Sequence, residues 1–281
     1  MTEAALQHFA PSEGDAFEQR SNGMRNPVHI LGLNHGFAPA AWSLDRLLAD
    51  AGDCRFRVSR NDDAGRWVVN KDGRGGFDWE DVSLADFLDI LANGNPRRLY
   101  AGSIAIDLLP PLRRDAEQAP FLEWVGNPEA VQIRFWLGCN NATQLHYDMF
   151  HTFLAPIIGT KDVWLFAPTT LDDFYPMQDA RNRNVSRIGS PKEFDRAAFP
   201  AFCSKEPIRL RVSPSEALFI PVYWWHYVEA GPEVNLSLSY HFTRPTVETI
   251  RSEYLLHYIR GQQESSLPAS QITPVQRVDL G

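Results

Sequence analysis

The sequence predicts a mainly β protein with flanking helices, its second half a barrel or two-sheet jelly roll. Two observations carry that reading. From Val131 onward, eight short apolar runs follow one another with polar or turn residues between: VQIRFWLG, ATQLHYD, TFLAPIIG, KDVWLFAP, IRLRV, ALFIP, HYVEA and VNLSLSYHF. Short strands at this spacing are what a closed or double sheet requires. The first half instead mixes strand-like alternation with helical spacing, the pattern of an α/β lobe placed before the barrel. A chain of 281 residues has room for both.

Taken in order, residues 1–25 mix charge, Gly and Ser without periodicity and read as a loose arm. Residues 26–130 read as the lobe. NPVHILG, from Asn26, is a short strand entered through Pro27, and Trp42, Leu44, Leu47 and Leu48 predict a helix over Pro39–Ala51. Cys54–Val58 and Arg66–Asn70 alternate like strands. KDGRGG at Lys71–Gly76 lacks the context of a phosphate loop and reads as a turn. Ser83 sits where the cap of a helix over Ser83–Leu91 belongs, Asn93-Gly94 ends that helix, and Leu99-Tyr100 begins an extended piece. Pro110, Pro111 and Pro120 punctuate a loop-rich approach to the barrel, which spans 131–245. A polar insertion over Thr169–Pro207, with the basic cluster RNRNVSR, reads as an excursion over the barrel mouth. Over 246–281, Val247, Ile250, Tyr254, Leu255 and Tyr258 form one stripe of an amphipathic helix at Val247–Ile259, followed by a tail.

Composition narrows the function classes. A net charge of −8 argues against a mainly electrostatic grip on nucleic acid. No apolar run reaches the roughly 18 residues of a membrane helix, and the N-terminus has no secretory h-region. Cys54, Cys139 and Cys203 are scattered and odd in number, fitting neither a zinc pattern nor a disulfide framework. These features suit the cytoplasm.

The chemistry concentrates in NNATQLHYDMFHTFLAPIIGTKDVWLFAP, Asn140–Pro168, and in LFIPVYWWHYVEA, Leu218–Ala230. Residues i and i+2 of a strand point to one side, so His146 and Asp148 can bind one metal while Tyr147 faces away. His226 can complete two nitrogens and one oxygen on one face, the set suited to non-haem Fe(II). By itself HxD also reads as a pair of surface or cap residues. Lys161 lies within IIGTKDVWLF, where an ammonium is expensive unless it meets an anion; the plain alternative is an outward lysine on a half-exposed strand. Trp224 and Trp225 face opposite sides and read as packing residues, His151 should point away from the site, and His241 reads as a core or rim histidine.

The linked HYD–x12–K and IPVYWWH signals, with WLGCNNATQ before them, resemble the JmjC and cupin-8 family of 2-oxoglutarate oxygenases. Within it they are most similar to the asparaginyl hydroxylases and the small JmjC hydroxylases. PVHILGL, WSLDRLLADAG, LADFLDIL and RRLY resemble that family's N-terminal lobe, so the likeness covers most of the chain. The resemblance implies a double-stranded β-helix core working with Fe(II), O2 and 2-oxoglutarate as cosubstrate. It implies His146, Asp148 and His226 as iron ligands and Lys161 as the partner of the distal carboxylate, with Thr143 and Tyr100 as hydroxyl donors to it. Thr152 and Ser239 stand where that branch has asparagines beside the cosubstrate and the open iron positions.

The expected activity is hydroxylation of a side chain in a protein or peptide. Lysine demethylation is less expected, because the sequence has no chromatin-reading module or zinc cluster. The rivals are the same chemistry on a small metabolite or tRNA base, and a cupin-like binding module without turnover. An isomerase of the wider cupin group would leave Lys161 unexplained. A homodimer through the C-terminal helix is expected by analogy with related hydroxylases.

Overall fold

The computed structural model describes residues 6–10, 16–33, 36–67, 77–128, 130–179 and 181–266. KDGRGG and the end of the strand expected over Arg66–Asn70 lie outside them. The N-terminal part contributes β1 (Gln7–Phe9), α1 (Phe17–Arg20), β2 (Val28–Leu31), α2 (Leu44–Ala51), β3 (Arg55–Arg60), β4 (Arg66–Trp67), β5 (Phe77–Ser83), α3 (Leu84–Ala92) and β6 (Leu99–Ala105). Short helices α4 (Pro110–Ala116) and α5 (Phe121–Trp124) lead to the barrel strands β7 (Gln132–Gly138), β8 (Asn141–Thr143), β9 (His151–Ile158) and β10 (Lys161–Phe166). After the insertion come β11 (Ile208–Val212), β12 (Glu216–Ile220), β13 (Trp225–Ala230) and β14 (Asn235–Phe242), then α6 (Val247–Ile250) and α7 (Glu253–Ser266).

Each of the eight apolar runs supplies one barrel strand. These divide between two sheets, β12-β9-β14-β7 and β11-β10-β13-β8, the arrangement of a double-stranded β-helix. The larger sheet grows to nine strands, β1-β2-β12-β9-β14-β7-β6-β3-β5, because lobe strands pair onto both of its edges. Its two faces divide by the period of two. Leu236, Leu238, Tyr240 and Phe242 of β14 pack outward with Phe153 and Phe219 against the lobe, while Ser237, Ser239 and His241 face the barrel interior. Phe121 stacks on Phe153 at 4.5 Å between ring centroids and meets Tyr240 edge-on at 4.9 Å, which fixes the lobe to the sheet.

Several expectations need correction. Residues 1–25 are not all a loose arm: β1 pairs in parallel with β2, and Phe17 is fully buried with its ring 5.1 Å from Phe219. One aromatic side chain in the core outweighs the polar composition around it. The helix expected at Pro39 starts at Leu44, because the Ser43 hydroxyl accepts from the Arg46 N–H at 3.2 Å and caps it there; Trp42 is extended. Ser83 does cap α3, accepting from the Asp86 N–H at 3.0 Å. The stretch around Pro110 and Pro120 is helical, since proline is well suited to the first helical turn, where its missing N–H has no partner to lose. The helix expected over Val247–Ile259 is broken: α6 ends at Ile250, and the Ser252 hydroxyl accepts from the Tyr254 N–H at 3.2 Å as α7 begins.

Candidate metal centre and adjoining cavity

The ligand-bearing segment does not fold as the strand ATQLHYD. Regular pairing stops at Thr143, and His146 forms an isolated bridge with His226, its N–H donating to the His226 carbonyl at 3.1 Å and its carbonyl accepting from the His226 N–H at 2.7 Å. On the other side the insertion takes the place of a sheet neighbour, the Tyr147 N–H donating to the Asn184 carbonyl at 3.0 Å. The alternation nevertheless survives. Tyr147 is fully buried outside the barrel, while His146 and Asp148 face inward. Asp148 Oδ1 lies 3.9 Å from His146 Nε2, and Asp148 Oδ2 lies 3.7 Å from His226 Nε2.

Both rings are held in the tautomer a metal needs. His146 Nδ1 faces the Gln144 carbonyl at 2.7 Å and His226 Nδ1 faces the Trp224 carbonyl at 3.0 Å. A carbonyl only accepts, so each Nδ1 carries the proton and each Nε2 presents a lone pair to the centre. Burial, aided by neighbouring His146, pushes the His226 pKa well below its ordinary value and keeps that ring neutral. The three ligating atoms lie within 4.8 Å of one another. Two imidazoles and one carboxylate on one face are a donor set that would hold Fe(II).

The triad opens on a cavity of about 280 Å³ lined also by Lys161, Tyr100, Thr143, Thr152 and Ser239. Every residue expected at the site is therefore brought to one space. Lys161 begins β10 opposite Ala230 and is only 2% exposed. Burial lowers its pKa from 10.5 to about 7, and no described side chain forms a hydrogen bond or ion pair with the ammonium. The outward-lysine alternative is thus excluded. Burial raises the Tyr100 pKa, with Asn141 opposing in part, so the phenol stays protonated and able to donate. The Thr143 hydroxyl accepts from the Val228 N–H at 3.1 Å, which leaves its own proton free for the cavity. Buried Ser237 Oγ and Asn141 Oδ1 have no partner among the described residues. A cavity wall with such polar groups and the buried Lys161 ammonium is suited to a small dicarboxylate.

Thr152 and Ser239 are less available than their positions imply. Thr152 Oγ1 lies 2.9 Å from His241 Nδ1, Ser239 Oγ lies 2.9 Å from His241 Nε2, and Trp136 Nε1 donates to Ser239 Oγ at 2.7 Å. Burial, partly offset by Asp148, lowers the His241 pKa to about 4, so a neutral imidazole clamps both hydroxyls. His151 does point away: its Nδ1 accepts from the Val222 N–H at 3.2 Å and its ring stacks on Phe219. Trp224 and Trp225 separate into different packing clusters. The insertion does cover the mouth, contributing Asn182, Asn184 and Val185 to the cavity wall.

Residues 15–247 match the family model described as "Cupin-like domain". The chain belongs to that family. Among its relatives, the Jumonji C domain-containing protein 5 of Drosophila melanogaster is 33% identical over 112 residues, 39% of this chain and 28% of that protein. The lysine-specific demethylase JMJ30 of Arabidopsis thaliana is 31% identical over 130 residues, 46% of this chain and 29% of the relative. The lysine-specific demethylase 8 of Danio rerio is 25% identical over 227 residues, 77% of this chain and 53% of the relative. This chain thus matches about half or less of the length of these relatives. These relatives carry JmjC or lysine-demethylase names and share the matched segments with this chain. Sequence reasoning had missed Ser237, Asn141 and Trp136 as cavity residues of this cupin-like barrel. Ser237 had a signal, since it alternates with Ser239 and His241 on β14; Asn141 and Trp136 had none beyond closeness to the HxD motif.

Proposed function

We propose that this protein is an Fe(II)- and 2-oxoglutarate-dependent dioxygenase that hydroxylates a side chain of a protein or peptide. The observation carrying the reading is the meeting, in one cavity, of the His146–Asp148–His226 triad with the buried ammonium of Lys161, which has no ion-pair partner among the described residues. Iron bound there would supply the coupled oxidation of 2-oxoglutarate to succinate and CO2 and the transfer of one oxygen atom of O2 to the substrate. Lys161 pairs with the distal carboxylate of 2-oxoglutarate, and Thr143 and Tyr100 donate hydrogen bonds to it. Thr152 and Ser239, held by His241, form the polar wall beside the cosubstrate. Phe150, Val185 and Ile220 keep water from the reacting end of the cavity.

Two relatives named as lysine-specific demethylases favour a second reading, oxidation of an N-methyl group on lysine. The same residues would serve, and the product differs: an N-hydroxymethyl group breaks down to formaldehyde. No described helix is long and apolar enough to cross a membrane. The unpaired thiols of Cys54, Cys139 and Cys203 favour a reducing compartment, and we place the protein in the cytoplasm. The test is a screen of peptides, methylated peptides and metabolites that reads succinate, product mass and formaldehyde together. A peptide product heavier by one oxygen supports the proposal. Formaldehyde supports the second reading, and turnover confined to metabolites overturns both.

A further inference from the structure

The segment carrying His146 and Asp148 is no regular strand: isolated bridges tie it to His226 and to Val185 of the insertion, and two of its side chains must hold one geometry with His226 from β13. A further set of contacts lies behind the barrel. Tyr254, the second residue of α7, is 3% exposed although the helix around it is largely at the surface. Its backbone carbonyl accepts from the Tyr147 hydroxyl at 3.1 Å, and Tyr147 stands between the two ligands of that segment. Its own hydroxyl accepts from Trp225 Nε1 at 3.2 Å and donates to the Thr169 carbonyl at 2.8 Å, and Trp225 immediately precedes His226. Its ring meets Tyr147 edge-on at 5.0 Å and stacks on Tyr223 at 5.7 Å; the Tyr223 N–H donates to the Asp148 carbonyl at 3.0 Å.

We propose that Tyr254 is a positioning residue for the metal triad, holding the His146–Asp148 segment and the His226 strand together from outside the barrel. It touches no reacting atom. It acts because the neighbours of all three ligands, Tyr147 between His146 and Asp148 and Trp225 before His226, each bond to or pack against this one residue. Groups behind metal ligands commonly change metal affinity by about 10- to 100-fold when removed. The inference rests on the reading of His146, Asp148 and His226 as ligands.

The test uses Co(II), whose visible bands report coordination geometry, titrated into metal-free protein and three variants. Tyr254→Phe keeps the ring and loses the hydroxyl; Tyr254→Ala loses both. Leu91→Ala removes a buried side chain of the N-terminal core that lines no part of the cavity, and so controls for lost stability alone. Co(II) affinity is expected to fall about tenfold in Tyr254→Phe and about 100-fold in Tyr254→Ala, with altered bands. Leu91→Ala should lower the Tm and leave Co(II) binding unchanged. Parental affinity and spectrum in Tyr254→Phe would overturn the proposal even if Tyr254→Ala fails to fold. So would equal weakening in Leu91→Ala. Failure of the parent protein to bind Co(II) would instead remove the metal reading itself.

Discussion

At the scale of single residues the structure turns on Lys161, an ammonium at 2% exposure with no described partner and a pKa drawn down to about 7 by burial. A bound dicarboxylate favours the charged form, so binding takes up a proton wherever the free lysine has lost it. Between pH 6 and pH 8 the protonated fraction of such a group falls from about nine-tenths to about one-tenth. The affinity of the metal-saturated protein for 2-oxoglutarate should therefore be about tenfold weaker at pH 8 than at pH 6. In Lys161→Arg, whose guanidinium keeps its charge at both values, that dependence should vanish. Titration at the two pH values checks this, and an identical slope in the variant would remove the lysine as its source. The triad gives a second expectation. Asp148→Ala and His226→Ala each delete a ligand whose partners remain in place, so both should lose bound iron by metal analysis. Full occupancy in either would rule out that residue.

At the scale of elements, β14 shows how much was legible. Its run VNLSLSYHF alternates strictly, so the strand and the one-sided set Ser237, Ser239 and His241 follow from the period of two. What the period could not disclose is that His241 reaches both Thr152 and Ser239, because hydrogen bonds across strands depend on registers that one strand does not encode. The ligand motif was legible for a related reason: the alternation of side chains outlasted the regular strand that had been expected to carry it. Lobe helices α4 and α5 were hidden because prolines that begin a helix and prolines that forbid one look alike in sequence. The N-terminal segment was misread because composition averages over a window and Phe17 acts alone. Deleting that ring should leave a cavity against Phe219 and Phe153. Phe17→Ala is expected to cost about 3–5 kcal/mol in urea denaturation, whereas a residue in a loose arm would cost under about 0.5 kcal/mol.

At the scale of the whole molecule, the lobe and the barrel share one sheet, β2 pairing with β12 and β6 with β7, so the site is braced by an element order that spans most of the chain. The C-terminal helices spend their buried face on the barrel through Tyr254, and leave Val247, Ile250, Leu256 and Ile259 exposed. We propose that these residues meet a second copy of the chain. Light scattering should give a dimer at micromolar concentration, and the monomer in a Val247→Glu/Ile250→Glu variant; a parental monomer would reject the dimer. Oxygenase activity of this kind requires 2-oxoglutarate to bind beside the triad and against Lys161. The direct measurement is calorimetric titration of 2-oxoglutarate into the metal-loaded, oxygen-free protein and into Lys161→Ala. Removing one partner of a buried charge pair costs roughly 2–5 kcal/mol, so affinity should fall by about 30- to several-thousand-fold while the metal stays bound. Equal affinity in the two proteins would take Lys161 out of the site. No binding to the parent at millimolar 2-oxoglutarate would contradict the oxygenase reading altogether.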